Sequence, residues 1–177
     1  MLTRRTFLFA GLAGSAALAV SWWLRGSRDD VSGAASPPRG GALDADAADV
    51  LGAVIPVFLD GALPADRAAA QRAVRETVAG VGVAVAGLPP AAQHELAQLF
   101  SLLGFAPARI ALARVGSPWR EAGRDEVAAF LERWRTSGFL LFRSAYAALH
   151  QLVFAAWYGN PGSWPAIGYP GPPRLPA

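Results

Sequence analysis

The sequence predicts an all-α protein: a small irregular bundle of about five to six helices, with an N-terminal signal or anchor helix and an extended tail. Apolar residues make up 53% of the 177 residues and recur at helical spacing, and no stretch alternates between apolar and polar residues as a half-buried strand would. Pro and Gly divide this pattern into segments of helical length. We therefore predict a leader at 1–25, a flexible linker at 26–42, a helical domain at 43–158 and a Pro-rich tail at 159–177.

The composition excludes several classes of protein. A charged fraction of 16% is too low for a disordered chain, and the chain has no Cys for disulfides or thiolate-bound clusters. All 16 basic residues are Arg, and three of them flank the N-terminal apolar segment. The other 13 balance the 13 acidic residues, so we expect no basic surface that binds nucleic acid.

The leader carries the clearest motif in the sequence. Arg4 and Arg5 precede Phe7 and Leu8, which resembles the twin-arginine export motif, and an uncharged segment rich in Ala and Gly follows as far as Leu24. A Sec signal or a plain membrane anchor is the simpler alternative. We expect the twin-arginine translocase to carry the chain to the periplasm.

The fate of the leader has two alternatives that the residues leave open. Ala17-Leu18-Ala19 fits the small-x-small rule for signal cleavage. Trp22 and Trp23 beside Arg25 are typical of an interfacial anchor, and a helix of this length spans about 27 Å, close to the hydrocarbon thickness. An uncleaved helix would hold the protein on the inner membrane, and both alternatives place the rest of the chain in the periplasm.

Helical segments follow the linker. Asp44 is suited to cap the first of them, Pro56 is expected to kink it or end it early, and Asp60-Gly61 is expected to stop it. The last segment is apolar around more than half its circumference, which predicts the centre of the bundle. The later segments are predicted to open at Pro64, to run from Pro89-Pro90 to Gly104, and to cover Pro107 to Arg114, Asp125 to Arg135 and Phe139 to Trp157.

The tail from Tyr158 holds six Pro and four Gly, so we expect it to be extended and not helical. Trp164, Ile167 and Tyr169 are large groups that such a tail would bury. The residues leave open whether the tail packs on the protein itself or on a partner.

No catalytic constellation can be assembled from the sequence. The two His have no metal-ligand spacing, and neither a nucleophile elbow nor a G-x-G-x-x-G loop occurs. We expect His94 to lie on the surface and His150 to be a core or interface residue. Trp119, Trp134, Trp157 and Trp164 are either core residues or interface anchors.

The leader, the helical middle and the tail together resemble the gluconate 2-dehydrogenase subunit 3 family. The most specific part is the Gly-Asn-Pro of 159–161 followed by Trp-Pro-x-Ile-Gly-Tyr-Pro-Gly-Pro-Pro at 164–173. The resemblance implies a small subunit that supplies the twin-arginine signal and helps a large subunit mature and cross the membrane. That large subunit is an FAD-containing oxidoreductase of the glucose–methanol–choline type, often working with a cytochrome c.

The resulting hypothesis is a non-catalytic accessory subunit of a periplasmic dehydrogenase, with the FAD on its partner and no cofactor of its own. The alternative is a stand-alone, membrane-anchored periplasmic helical protein with a binding or structural role. The residues expected to contact the partner are Trp157, Tyr158, Asn160, Trp164, Ile167, Tyr169 and Pro170.

Overall fold

The computed structural model describes residues 43–171, apart from the side chains of Ala166 and Ile167. The predicted leader with Arg4, Arg5, Phe7 and Leu8, the linker and residues 172–177 lie outside the described residues. Within 43–171 the chain forms helices and no strand, which confirms the all-α prediction. The α-helices are α1 (Ala45–Phe58), α2 (Arg67–Ala86), α3 (Pro90–Gly104), α4 (Ala106–Ala108), α5 (Arg124–Arg135) and α6 (Leu140–Gly159). A π-helical segment, Arg109–Ala113, follows α4, and a 3₁₀-helix, Pro161–Ile167, follows α6.

Acidic side chains cap the first two helices. The Asp44 carboxylate accepts a 2.7 Å hydrogen bond from the Ala47 amide, as the sequence predicts. The second helix begins at Arg67 and not at Pro64, because Asp66 accepts a 2.8 Å hydrogen bond from the Ala69 amide in its first turn. Pro56 lies inside α1, which continues to Phe58.

The helix at the centre of the bundle is α1, not the more apolar α6. It packs against α2, α3, α5 and α6, and its residues Val50, Leu51, Val54 and Ile55 are fully buried. By contrast α6 packs mainly on α2 and α5 and buries one face, while its first residues stay exposed. The prediction of a central last helix is wrong because apolar composition does not decide which faces find neighbours.

The bend between α3 and α5 is held by side chains that bond to its backbone carbonyls. The Trp119 indole donates to the Leu103 oxygen at 2.8 Å, and the Trp134 indole donates to the Leu112 oxygen at 3.2 Å. The Arg133 guanidinium donates to the Ala113 oxygen at 2.6 Å. Trp119 and Trp134 are both buried, so the structure makes them core residues that also fasten this bend.

Helices α2 and α6 approach closely at one small-residue contact. A Cβ added at Gly80 would lie 3.2 Å from the Ala156 Cβ, tighter than an ordinary van der Waals contact. The pairing therefore depends on small side chains at this crossing.

No single helix among residues 43–171 has both the length and the hydropathy needed to cross a bilayer. Helix α3 and the segment Ala106–Ala113 reach those values together, as a pair bent by 80°.

Candidate functional site

The tail is wound into a 3₁₀-helix over Pro161–Ile167, which corrects the prediction of an extended tail for these residues. The Asn160 side chain caps it by accepting from the Gly162 amide at 2.9 Å. The buried Ser163 hydroxyl lies 2.6 Å from the Trp157 carbonyl oxygen and 2.8 Å from the Asn160 carbonyl oxygen, and these two acceptors share its single O–H donor. Pro is compatible with this turn because its fixed φ suits the start of a helix.

The end of the tail folds back over Trp164. The Trp164 indole donates to the Tyr158 carbonyl oxygen at 2.8 Å, and its ring meets the Tyr169 ring edge-on with centroids 5.2 Å apart. Gly171 adopts φ +100° and lies so near that a Cβ there would be 3.2 Å from the Trp164 ring. The described part of the tail thus packs on its own domain.

A polar contact ties the tail to α2. The Asn160 amide donates to the Glu76 carboxylate at 3.3 Å. A groove of about 250 Å³ lies beside it, between the segment that links α1 to α2 and the start of the 3₁₀-helix.

The structure divides the predicted partner-binding residues by exposure. Trp157 is only 4% exposed and packs in the core, whereas Tyr158 and Tyr169 are 49% and 45% exposed. Asn160 and Trp164 are half-buried, and Pro170 is exposed. The backbone of Ile167 lies at the end of the 3₁₀-helix, and its side chain is outside the described set.

Four rings stack in a line along α6, at Tyr146, His150, Phe154 and Tyr158, and we call them the aromatic column. Their successive centroids are 5.9, 4.3 and 5.8 Å apart, with planes tilted by about 30°. From α1, the Phe58 ring meets the first three edge-on, 5.4 Å from His150 at its nearest. The sequence signal was the four-residue spacing of these rings, which places them on one helix face.

A shallow groove of about 280 Å³ runs beside the aromatic column, between α1, α5 and α6. Its lining includes Phe58 from α1, Leu131 and Glu132 from α5, and His150 and Phe154 from α6. This lining suits an apolar or aromatic side chain that offers a polar edge to the carboxylate.

Glu132 is held in its ionised form by its neighbour on α5. The Arg135 guanidinium donates two hydrogen bonds of 2.8 Å to the Glu132 carboxylate. These bonds hold the pKa of Glu132 below its usual range and raise the pKa of Arg135.

The two His have different surroundings. His94 is exposed and its Nε2 lies 2.9 Å from the Gln98 amide nitrogen, which confirms the predicted surface position. His150 is half-buried within the aromatic column. Within 43–171 no group of three or more His, Asp or Glu residues is placed to hold a metal ion.

No protein-family model, curated protein or solved structure matches the chain. We take as the candidate site the surface formed by the aromatic column and the exposed tail residues Tyr169 and Pro170, on the geometry described above.

Proposed function

We propose that the chain is the non-catalytic small subunit of a periplasmic, membrane-associated FAD-dependent dehydrogenase of the glucose–methanol–choline type. In this role it supplies the export signal and stabilises the catalytic subunit, which holds the FAD and often works with a cytochrome c. The sequence pattern of leader and tail supports the proposal. The observation that carries it is the pair of exposed rings, Tyr158 and Tyr169, at one end of the helical domain.

The backbone that carries these two rings is held in place by contacts with Trp164. Tyr158 closes the aromatic column and its carbonyl is bonded to Trp164, while the Tyr169 ring rests against the Trp164 ring. Exposed Tyr on a rigid backbone loses little conformational entropy when a partner covers it. Tyr is also among the residues that concentrate binding energy at protein interfaces. A partner subunit is the ligand that this surface suits best.

The export route supports the same conclusion. The twin-arginine translocase carries folded proteins, and Arg4-Arg5 precede a helical chain in whose sequence no cofactor motif was found. A folded companion already loaded with FAD is the cargo for which this route is suited. On this proposal one leader serves both chains.

Co-purification tests the complex. The tagged protein, isolated from membranes in mild detergent, is expected to elute with a yellow flavoprotein. Tyr158→Ala combined with Tyr169→Ala should weaken that association by at least about tenfold, since hot-spot truncations each cost over 1 kcal/mol. Val83→Ala is the control, because Val83 is 76% exposed on α2 and is not one of the residues expected to contact the partner.

A colourless monomer under these conditions would contradict the proposal and favour the stand-alone membrane-anchored alternative. Equal weakening by Val83→Ala would show that the aromatic surface has no special part in binding.

Export provides an independent test. Arg4→Lys combined with Arg5→Lys is expected to leave both this chain and the flavoprotein in the cytoplasm. Arg25→Lys, which keeps the charge beyond the apolar segment and leaves the motif intact, is the control. If the flavoprotein reaches the periplasm in the double variant, the escort role is excluded.

A further inference from the structure

Three consecutive large apolar residues protrude where α6 begins. Phe139, Leu140 and Leu141 are 69%, 70% and 70% exposed, and we call them the apolar tip. Leu140 and Leu141 open α6, and Phe139 is its N-cap residue with an extended backbone. Successive helical residues point about 100° apart, so the exposed side chains at the start of α6 do not share one face.

The apolar tip is connected to the core through aromatic contacts and hydrogen bonds. The Phe139 ring meets the Phe142 ring edge-on at 6.0 Å, and Phe142 stacks at 5.2 Å on the buried Trp134. The Arg143 guanidinium donates to the Ser137 carbonyl oxygen, and the Phe139 amide donates to the Ser137 hydroxyl at 3.1 Å. These contacts hold the turn between α5 and α6 in the conformation that leaves the apolar groups exposed.

Cationic residues flank the apolar tip along the chain. Arg135 comes four residues before Phe139 and is paired with Glu132, and Arg143 comes two residues after Leu141; both Arg are exposed. From residue 132 to residue 143 the chain holds three Arg against one acid, Glu132. An exposed apolar tip with a cationic rim has the chemistry of a segment that inserts into an anionic lipid surface.

We propose that the apolar tip inserts into the interface of an anionic bilayer, where Arg143 meets the lipid phosphates and the net positive charge of residues 132–143 holds the folded domain against the membrane. The consecutive exposed apolar side chains and the local positive charge favour a bilayer over a protein partner, which would more often meet a mixed surface. The inference does not depend on the escort role, because a stand-alone protein could use the same contact.

Site-specific labelling tests the insertion, since the chain contains no Cys of its own. Leu141→Cys and Val83→Cys introduce single thiols at two exposed apolar positions, one in the apolar tip and one on α2. Each full-length variant carries an environment-sensitive fluorophore and is reconstituted into vesicles of phosphatidylethanolamine and phosphatidylglycerol. Brominated acyl chains should quench the label at position 141 by about twofold or more and leave the label at position 83 unchanged, because only groups below the headgroups meet the bromine.

Lipid charge and a substitution at each of the two Arg test the cationic rim. Replacing the mixture by phosphatidylcholine alone should reduce the quenching at position 141. Arg135→Gln and Arg143→Gln should each weaken insertion into the anionic vesicles by about fivefold, the value for one basic residue near such a surface. If quenching at position 141 is the same in anionic and neutral vesicles and is unchanged in both Arg variants, the assignment of the cationic rim is overturned.

Three outcomes would overturn the whole proposal. The first is equal quenching at positions 83 and 141, and the second is no quenching at position 141. The third is that position 141 becomes shielded from a water-soluble quencher only when a co-purified protein is bound in lipid-free detergent, which would assign the apolar tip to a protein interface.

Discussion

The indole nitrogen of Trp164 donates a 2.8 Å hydrogen bond to the carbonyl oxygen of Tyr158, and this bond fastens the tail to the end of the aromatic column. It lies between the two exposed Tyr that we propose as partner contacts. The positions of Tyr158 and Tyr169 therefore depend on a side chain that is itself half-buried.

Trp164→Phe should loosen the tail, because it removes the N–H donor and also part of the ring on which Tyr169 and Gly171 pack. We expect a cost of at least about 1 kcal/mol, the usual net contribution of one hydrogen bond, with the lost ring contacts added. Amide hydrogen exchange at Gly168 and Tyr169, whose amides bond back to the 3₁₀-helix, should become faster. Tyr169→Phe is the control, since the ring is kept, and unchanged exchange in Trp164→Phe would contradict this role of the bond.

Ser163→Ala should destabilise the same segment more strongly. The hydroxyl of Ser163 is buried and lies within hydrogen-bond distance of two carbonyl oxygens at the end of α6, so its removal leaves buried acceptors with one partner fewer. The expected loss in free energy of unfolding is about 1–3 kcal/mol, measured by denaturant titration. Ser144→Ala, at an exposed position of α6, should change it little; similar losses in both variants would refute the prediction.

Two glycines should respond in opposite ways to Ala. A Cβ at Gly104 would lie 2.8 Å from the Cβ and Cγ atoms of Asp46, where α3 passes α1, so Gly104→Ala should cost about 1–3 kcal/mol. Gly52 sits inside α1 with no atom within 4 Å of an added Cβ, so Gly52→Ala should stabilise by about 0.5–1 kcal/mol. Thermal and denaturant unfolding of both variants measure the difference. A stabilised Gly104→Ala variant would show that α1 and α3 are not as close at this position as the 2.8 Å distance indicates.

The ion pair on α5 predicts a dependence on pH. Arg135 lowers the pKa of Glu132 in the folded protein, chiefly through the hydrogen bonds. The stabilisation by this pair is therefore complete above the ordinary carboxyl pKa and is lost as the pH falls through the lowered value. Arg135→Gln should raise the Glu132 pKa toward its usual range, as read from the NMR titration of the side-chain carboxyl. Equal midpoints in the two proteins would exclude this effect of Arg135.

The helical class and most helix ends could be read from the sequence, because the signals that set them act within a few residues. Asp44 as a cap, Gly104 as the last residue of a helix and Ser137-Gly138 as a break all rest on local backbone chemistry. The sequence also placed the Tyr and Trp of the tail directly after the last helix. The aromatic column was present as a four-residue spacing, but nothing local showed that Phe58 from α1 would pack against it.

Only the tertiary structure decided which side chains face solvent. Trp157 and Tyr158 are neighbours in a helix that is apolar almost all round, yet the first is buried and the second half exposed. The three residues of the apolar tip read as core from their composition and lie outside it, because α2 and α5 cover only one face of α6. Burial is set by elements far away in the chain, and neither periodicity nor capping carries information about where those elements end up.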